Sequence, residues 1–259
     1  MTYGLVRPIR HSLQLNKMAA LLLCLPLFVV MASCSKSSEQ AAAAETTVHN
    51  TKSNTQADAV FSYVEVKEKI TSDTSPLGYW EKSLRYPQLN KDSNVQVKTL
   101  INDSVIQLTN KYKCETEGDQ MFEAEVTMVN TALISFKYNT MWLCDTMPRP
   151  DSTVGAVTYD LETGAEHKLV DEVIDKTAAD NLRKMIATKF NKLIHDKNQT
   201  GANCPPPAPS DIFYLHDQSM VFRAEYPDHA DSACEVEVAV ALTELKHFFK
   251  SSSKLLQAF

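Results

Sequence analysis

The folded part of the chain carries hydrophobic patterns of both periods, two for strands and 3.6 for helices. Residues 60–70 (VFSYVEVKEKI) alternate in their second half and predict a strand, and residues 79–86 (YWEKSLRY) predict a second strand that Pro87 stops. A helix is predicted to begin at Ser93, which forms a capping box with Gln96. Its apolar positions follow with helical spacing, at Ile101, Val105, Leu108 and Tyr112.

The middle of the chain predicts β structure. Residues 121–129 and 132–143 are rich in Val, Phe, Ile, Tyr and Trp and flank a turn at Asn130, so they predict a hairpin. Residues 154–159 predict a further strand, which ends in a turn where Gly164 suits a positive φ.

A second amphipathic helix is predicted at 177–195, with Thr177 and Asp180 as its capping box. The remaining elements are predicted in this order: a stiff Pro-rich connector at 201–209, strands at 212–215, 220–225 and 235–241, a short helix at 243–249 and a tail at 250–259. Together they predict an α+β fold with mixed or antiparallel sheets and two main amphipathic helices. The order of elements fits two related halves, at about 59–200 and 201–249.

The first 33 residues have the pattern of an export signal. Arg7, Arg10 and Lys17 form a positive region, and the apolar run 18–32 that follows is too short to span a bilayer. The alternative is a slightly short membrane anchor. Residues 34–58, rich in Ser, Ala, Thr, Asn and Gln, cannot bury enough apolar surface to order themselves and predict a flexible tether.

Residues 31–34 (MASC) resemble the lipobox of bacterial lipoproteins. The resemblance implies that Cys34 is acylated, with palmitate among its acyl chains, and that the signal is cut before it. Ser35 is not the Asp that retains such proteins in the inner membrane, so the expected location is the outer membrane, facing the periplasm. Removal of the signal with its three basic residues changes the formal charge from −6 to −9.

Four cysteines remain after Cys24 and Cys34 are set aside, and an even number in an exported chain indicates two disulfides. Four cysteines allow three connectivities. The hairpin at 121–143 sets Cys114 opposite Cys144, and the second hairpin is flanked by Cys204 and Cys234, so these two pairs are predicted. A zinc site is the alternative, although the chain has no CxxC or HxxxH spacing.

Several short phrases resemble the extracytoplasmic domain of the RsiV-like family, whose namesake is a lysozyme-sensing anti-sigma factor. They are YPQL at 86–89, VQVKTLINDSVI at 95–106, TYDLETGAEHKL at 158–169, and the strands and final helix between 213 and 245. Related domains occur in many lipoproteins and beside some polysaccharide deacetylases. The resemblance implies an α+β domain at 59–249 that binds a ligand, with lysozyme as the family's example.

The loop after the second hairpin departs from the family pattern. The family has an aromatic-rich loop there, whereas this chain keeps Tyr226 but has Asp231 and Cys234 in place of a tyrosine and a glycine. Tyr226, His229 and Asp231 are therefore the candidate ligand-binding residues. The resemblance does not extend to a sigma-binding segment or to a deacetylase domain, so neither of these functions is expected of this chain.

Several clusters of polar residues are candidate sites of chemistry. Asp228, His229 and Asp231, with His216 and Asp217 across the hairpin, would bind a divalent cation or a basic partner; the alternative is a solvated loop closed by a disulfide. Glu123 and Glu125 share a strand face, which is more typical of a solvated sheet than of an acid–base pair. Tyr138 and Trp142 also share a face, and they line either a groove or the core.

Composition argues against two classes of function, nucleic-acid binding and nucleotide binding through a phosphate loop. A net charge of −6 gives no basic footprint for nucleic acid, and six glycines cannot build a phosphate loop. The sequence thus predicts a lipid-anchored, non-enzymatic binding module with no cofactor, which meets a basic protein such as lysozyme or a peptidoglycan ligand. The alternative is an envelope glycan hydrolase or deacetylase-like enzyme that uses His and Asp residues of 216–231. The oligomeric state is left open.

Overall fold

The computed structural model describes residues 60–90, 94–199, 201, 203–208, 210–224 and 234–257, and the backbone alone of 47–51. The described residues belong to one compact unit. Its strands are β1 (Thr47–Thr51), β2 (Phe61–Thr71), β3 (Tyr79–Leu89), β4 (Gly118–Val129), β5 (Leu133–Cys144), β6 (Asp151–Asp160), β7 (Phe213–His216), β8 (Ser219–Arg223) and β9 (Glu237–Ala241). Its helices are α1 (Val95–Lys111), α2 (Leu169–Glu172), α3 (Lys176–Gln199) and α4 (Leu242–Leu245), and Lys254–Leu256 forms a single 3₁₀ turn.

Six strands form a mixed sheet in the order β1-β2-β3-β4-β5-β6. Neighbouring strands are antiparallel except β3 and β4, which run parallel over Lys82–Arg85 and Gln120–Glu123. A parallel pair needs a long crossover, and α1 supplies it. The other three strands form an antiparallel sheet in the order β7-β8-β9. The α+β prediction with mixed and antiparallel sheets is confirmed.

Strand β3 continues through Pro87, where the sequence predicted its end. Pro87 pairs with Tyr63 of β2. Leu89 lies two residues further on, so its N–H points to the same side of the strand as the nitrogen of Pro87. This N–H donates to the side chain of Asn102 of α1 and not to a strand. The pairing of β3 with β4 has ended at Arg85. The nitrogen of Pro87 faces the side of β3 where β4 no longer pairs. The missing N–H of Pro87 therefore removes no hydrogen bond between strands.

Both main helices begin at caps other than those predicted. The side chain of Asn94 caps α1 by accepting a hydrogen bond from the N–H of Gln96 at 3.0 Å, and the predicted Ser93 lies outside the described residues. Asp175 precedes α3 and accepts from the N–H of Ala178 at 2.8 Å, so it takes the place predicted for Thr177. The helices themselves are where the apolar periodicity put them.

One hydrophobic core lies between α1 and one face of the six-stranded sheet. Ile101 and Val105 of α1 pack with side chains of β4, β5 and β6 that are all fully buried, namely Phe122, Ala124, Ile134, Phe136 and Tyr159. A second core fills the space around α3, β7, β8 and β9, with Leu182, Ile186, Phe190, Leu215, Phe222 and Val240 at its centre.

The end of the described chain is packed. Leu255 is fully buried, Phe249 forms a bridge with Val173, and the N–H of Lys250 bonds the carbonyl of Glu172 at 2.9 Å. The predicted tail at 250–259 is thus held against α2 as far as it is described. At the other end, β1 lies within the predicted tether and pairs with β2, whereas the rest of 34–58 lies outside the described residues.

Both predicted disulfides are confirmed. Cys114 bonds Cys144 and Cys204 bonds Cys234, each with 5.4 Å between the two Cα atoms. Within the described part of the chain, no helix combines the length and the apolar character needed to cross a membrane.

Candidate functional site

The predicted ligand residues Tyr226, His229 and Asp231 all fall within the segment 225–233, which lies outside the described residues. Cys34 lies outside them as well. The two ends of the segment are described, however: Ala224 follows β8, and Cys234 precedes β9. We call the described residues at its two ends, 223–224 and 234–237, the stem of the candidate site.

Covalent and hydrogen bonds fix the stem. The N–H of Ala224 donates to the carbonyl of Val236 at 3.0 Å, and the Cys204–Cys234 disulfide ties the stem to the residues after α3. The amide of Asn198 at the end of α3 accepts from the N–H of Cys204 at 2.7 Å and donates to its carbonyl at 3.0 Å. Both ends of the segment thus start from positions set by the core around α3.

Arg223, the last residue of β8, is the polar centre of the stem and is only 6% exposed. Its Nη1 donates to the carbonyls of Tyr138 and Gly155, both at 3.0 Å, and its Nη2 donates to Oδ1 of Asn139 at 3.0 Å. Its Nε lies 3.1 Å from Oε1 of Glu237. One guanidinium therefore joins β8 and β9 to β5 and β6, with every nitrogen engaged.

Glu237 connects Arg223 to a buried tyrosine. The hydroxyl of Tyr214 on β7 donates to Oε2 of Glu237 at 2.7 Å. Burial, and then the hydrogen bond to this carboxylate, raise the pKa of Tyr214 well above its ordinary value. The phenol thus stays protonated and donates to Glu237, so Arg223, Glu237 and Tyr214 form one continuous polar network at the base of the site.

Two small cavities open beside the stem. One, of about 300 Å³, is lined by Val154, Arg223, Ala224, Glu235, Val236 and Glu237. The other, of about 280 Å³, lies on the face of the six-stranded sheet and is lined by Arg85, Glu123, Glu125, Lys137, Tyr138 and Asn139. Asn139 lines the second cavity and bonds Arg223, which lines the first, so the two cavities are neighbours.

The carboxylates of the sheet face are paired with cations. Arg85 lies 4.0 Å from Glu123 and 3.6 Å from Glu65, and Lys137 lies 3.6 Å from Glu125. Arg85 also lies over the ring of Tyr63, 3.7 Å from its centroid. Glu123 and Glu125 are well exposed, as expected for a solvated sheet face rather than an acid–base pair.

Tyr138 and Trp142 both lie beside the ring of Tyr112 but differ in burial. Tyr138 is buried, and its ring lies over Gly155 so closely that a Cβ added there would be 2.2 Å from it. Burial also raises its pKa above the ordinary value. Trp142 is half-buried, with its ring 5.4 Å from that of Tyr112. Tyr138 is thus a core residue.

His216 and Asp217 lie at the turn between β7 and β8. The ring of His216 is 3.2 Å from the carboxylate of Asp217, and both side chains are largely exposed. Asp217 has a φ of +50°, which places it in the left-handed region that Asp tolerates in tight turns. Among the described residues, no three His, Cys, Asp or Glu side chains are grouped to hold a metal ion.

A further polar cluster, which the sequence did not predict, lies beneath the end of the chain. Nδ1 of His167 is 2.6 Å from Oε1 of Glu172, and Nε2 is buried and lies 3.9 Å from Oδ2 of Asp160. Lys254 lies 2.6 Å from Asp160, and the hydroxyl of Ser253 donates to Glu172. A cavity of about 490 Å³ adjoins it between β6, α2 and α3, with the exposed Arg183–Asp211 pair on its wall.

The sequence carries one signal for the polar centre of the stem. Arg223 is the only charged residue in β8 (SMVFR), and Glu237 is the only charged residue in the partly buried β9 (EVAVA). A lone charge in a buried strand calls for a paired partner. The cluster around His167 has no comparable signal, since its members are spread over 95 positions from Asp160 to Lys254.

No protein-family model and no curated protein matches the sequence. Two solved structures share its fold. A member of the DUF3298 family from Bacteroides fragilis aligns with a TM-score of 0.57 at 14% identity, covering 76% of this chain and 96% of that one. A DUF3298 family protein from Pseudomonas aeruginosa aligns with a TM-score of 0.50 at 11% identity, covering 73% of this chain and 94% of that one. At these identities the similarity is one of fold alone.

Proposed function

We propose that the chain is an outer-membrane lipoprotein, anchored through Cys34 and facing the periplasm, whose RsiV-like α+β domain is a non-enzymatic binding module. The lipobox resemblance at 31–34 supports the anchor. The two disulfides support export, because such bonds persist in oxidising compartments such as the periplasm.

The observation that carries the binding role is the fixed stem of the segment 225–233. Arg223 holds one end of this segment on β8, and the Cys204–Cys234 disulfide ties the other end to the residues after α3. Binding residues are commonly presented by loops on a rigid scaffold of this kind. The segment contains Tyr226, His229 and Asp231, and we propose that these three side chains contact the ligand.

The partner that suits this surface best is a basic protein such as lysozyme. The mature chain carries a formal charge of −9 once the three basic residues of the signal are gone from the total of −6. A negative protein steers a basic one towards it and raises the association rate, and this contribution weakens as salt increases. A peptidoglycan ligand is the other outcome that the experiment distinguishes.

The test is calorimetric titration of the mature chain, residues 34–259 with Cys34→Ser, with lysozyme and separately with soluble peptidoglycan fragments. We expect binding of lysozyme that weakens between 50 and 300 mM salt. Tyr226→Ala is expected to weaken it by about tenfold, the effect of losing one aromatic anchor. Absence of lysozyme binding at low salt contradicts the proposed partner, and binding of the glycan fragments instead assigns the site to the cell wall.

The two disulfides provide a matched control, since each spans 30 positions. Replacing either pair by Ala is expected to cost a similar free energy of unfolding, about 3–4 kcal/mol in the chain-entropy model. Of the two disulfides, only Cys204–Cys234 holds the stem. Its loss is therefore expected to weaken lysozyme binding more than the loss of Cys114–Cys144 does. The comparison is made at a temperature where both variants are folded. Equal effects on binding would place the contact away from 225–233.

A further inference from the structure

The turn between β2 and β3, residues 72–78, exposes apolar side chains at one end of the six-stranded sheet. Leu77 is 73% exposed, and Ile70, in the last two residues of β2, is 45% exposed. Tyr79 opens β3 beside them, with the ammonium of Lys69 4.3 Å from its ring centroid. Leucine, tyrosine and lysine together are typical of protein surfaces that meet the boundary between lipid and water.

Hydrogen bonds hold this turn in one shape. The N–H of Ser72 donates to the carbonyl of Gly78 at 3.1 Å, and the N–H of Gly78 donates to the carbonyl of Ser75 at 3.0 Å. The N–H of Leu77 donates to the hydroxyl of Ser75 at 3.2 Å. Gly78 supplies the positive φ of +75° that closes the turn. The exposure of Leu77 is therefore a built feature of the fold.

Glu117 ties the turn to the rest of the sheet. Its Oε2 accepts from the hydroxyl of Thr74 at 2.9 Å and from Nε1 of Trp80 at 3.2 Å, and the hydroxyl of Ser72 donates to it as well. Glu117 directly precedes β4, whose first residue, Gly118, pairs with Cys144 of the Cys114–Cys144 disulfide. The turn is thus braced by the start of β4 and by a covalent cross-link.

The chain enters the sheet at this same end. β1 is antiparallel to β2, and its first residue, Thr47, pairs with Lys67, four residues before β2 ends at Thr71. At about 3.3 Å per residue, the entry lies roughly 13 Å from the turn along the strand. Thr47 is 13 positions after Cys34, a length of chain that reaches about 47 Å at most.

We infer that the β2–β3 turn is a membrane contact: Leu77 and Ile70 insert into the lipid headgroup region of the bilayer that holds the anchor and set the orientation of the domain on it. The inference rests on the proposed anchor at Cys34. A contact of this size is weak by itself, but a tether raises the effective concentration of the turn at the bilayer into the millimolar range.

Charge does not draw this turn to the bilayer. Lys67, Lys69 and Lys82 are outnumbered around the turn by acidic residues, namely Glu68, Asp73, Glu81, Glu117 and Asp119, and Lys82 lies 3.5 Å from Glu68. Attraction to anionic lipid requires an excess of Lys and Arg. The membrane contact is therefore apolar, and a larger fraction of anionic lipid is expected to weaken it rather than strengthen it.

The test places an environment-sensitive fluorophore (NBD) at Leu77→Cys and, as a control, at Thr131→Cys in the β4–β5 turn, at the opposite end of the sheet. The mature chain is attached to phosphatidylethanolamine–phosphatidylglycerol vesicles in two arms. One arm uses the acyl chains of Cys34; the other uses Cys34→Ser with an N-terminal histidine tag and nickel-chelating lipid. We expect a blue shift, and quenching by nitroxide-labelled lipid, at position 77 and not at 131.

A second measurement avoids the fluorophore. In the tagged arm, Leu77→Asp is expected to lower the apparent affinity for vesicles by roughly three- to tenfold, the effect of partial burial of one leucine. Val95→Asp is the matched control, because Val95 is 77% exposed but begins α1 at the other end of β3.

The two proposals fail differently. A chain that does not join vesicles in the first arm contradicts acylation of Cys34, while the tagged arm still tests the turn. Equal emission at positions 77 and 131 on tethered vesicles, or equal losses of affinity for Leu77→Asp and Val95→Asp, overturns the membrane contact.

Discussion

His167 lies between two carboxylates that the fold keeps ionised. Burial raises the pKa of Glu172, but hydrogen bonds from His167 and Ser253 outweigh it and hold that pKa below its ordinary value. For Asp160, burial is likewise outweighed by the ammonium of Lys254 and by the N–H groups of Thr163 and Glu162, so its pKa is also lowered. These contacts attach the end of the chain to the turn after β6 and to α2.

The lowered pKa values predict loss of stability in acid. Because the folded chain holds Glu172 ionised more strongly than the unfolded chain does, its stabilising effect is complete above the unfolded value of 4.5. It is lost as the pH falls through the lower folded value, where both states are protonated. Thermal unfolding measured between pH 7 and pH 2.5 should show this loss.

Glu172→Gln is expected to be less stable than the original chain at pH 7 and to lose less stability on acidification, because the titrating group is gone. Glu115→Gln, at an exposed position, serves as the control and should keep the original pH dependence. An unchanged acid slope in Glu172→Gln would mean that another carboxylate causes it.

Among the secondary-structure elements, the two sheets are joined by buried polar side chains, and Arg223 makes several of these bonds. Arg223 of β8 bonds the backbone of β5 and β6 and the side chain of Glu237 on β9. Ser135 of β5 provides a second link, since its hydroxyl accepts from the N–H of Leu215 on β7 at 2.9 Å. Polar groups at such a contact fix the register of one sheet on the other, since each is buried and satisfied by a specific partner.

Arg223→Met is expected to destabilise the chain by about 3–5 kcal/mol, because Glu237 and two buried carbonyl groups lose their donor. The midpoint and slope of urea unfolding measure this loss. Arg183→Met is the matched control: Arg183 also pairs with a carboxylate, Asp211, but about a third of its side chain is exposed. That exposed pair is expected to contribute about 1 kcal/mol or less, and a similar loss in both variants would show that Arg223 does not join the sheets.

The boundaries of the elements show where local sequence is sufficient. The apolar periodicities predicted α1, α3 and the hairpin of β4 and β5 correctly, because one face of each is buried and local spacing records it. The caps and the end of β3 were wrong. Whether Asn94 or Ser93 caps a helix, or Pro87 ends a strand, depends on the partners that the tertiary structure leaves beside the backbone.

At the scale of the whole molecule, the proposed function joins a signal, an anchored cysteine and a compact domain in one chain. The order of these parts predicts how the chain is cleaved and covalently modified. Mass spectrometry of the protein extracted from membranes should find a mature N-terminus at acylated Cys34, with the first 33 residues removed. Cys34→Ser should instead accumulate with its signal uncut, because the cysteine is both the cleavage and the acylation site. An unmodified N-terminus at any other residue contradicts the lipoprotein proposal.

Local sequence patterns were enough to predict the α+β class, the two main helices and the pairing of the four cysteines. Each of these follows from local information: periodicity records which face is buried, and hairpins bring together cysteines that flank them. Three arrangements became visible in the tertiary structure alone. Arg223 bonds residues of both sheets, and His167 forms a cluster with Asp160, Glu172 and Lys254. The third is the exposed Leu77, at the end of the sheet where the chain enters β1. These arrangements join residues distant in sequence, and their strength depends on burial and geometry, which no local pattern contains.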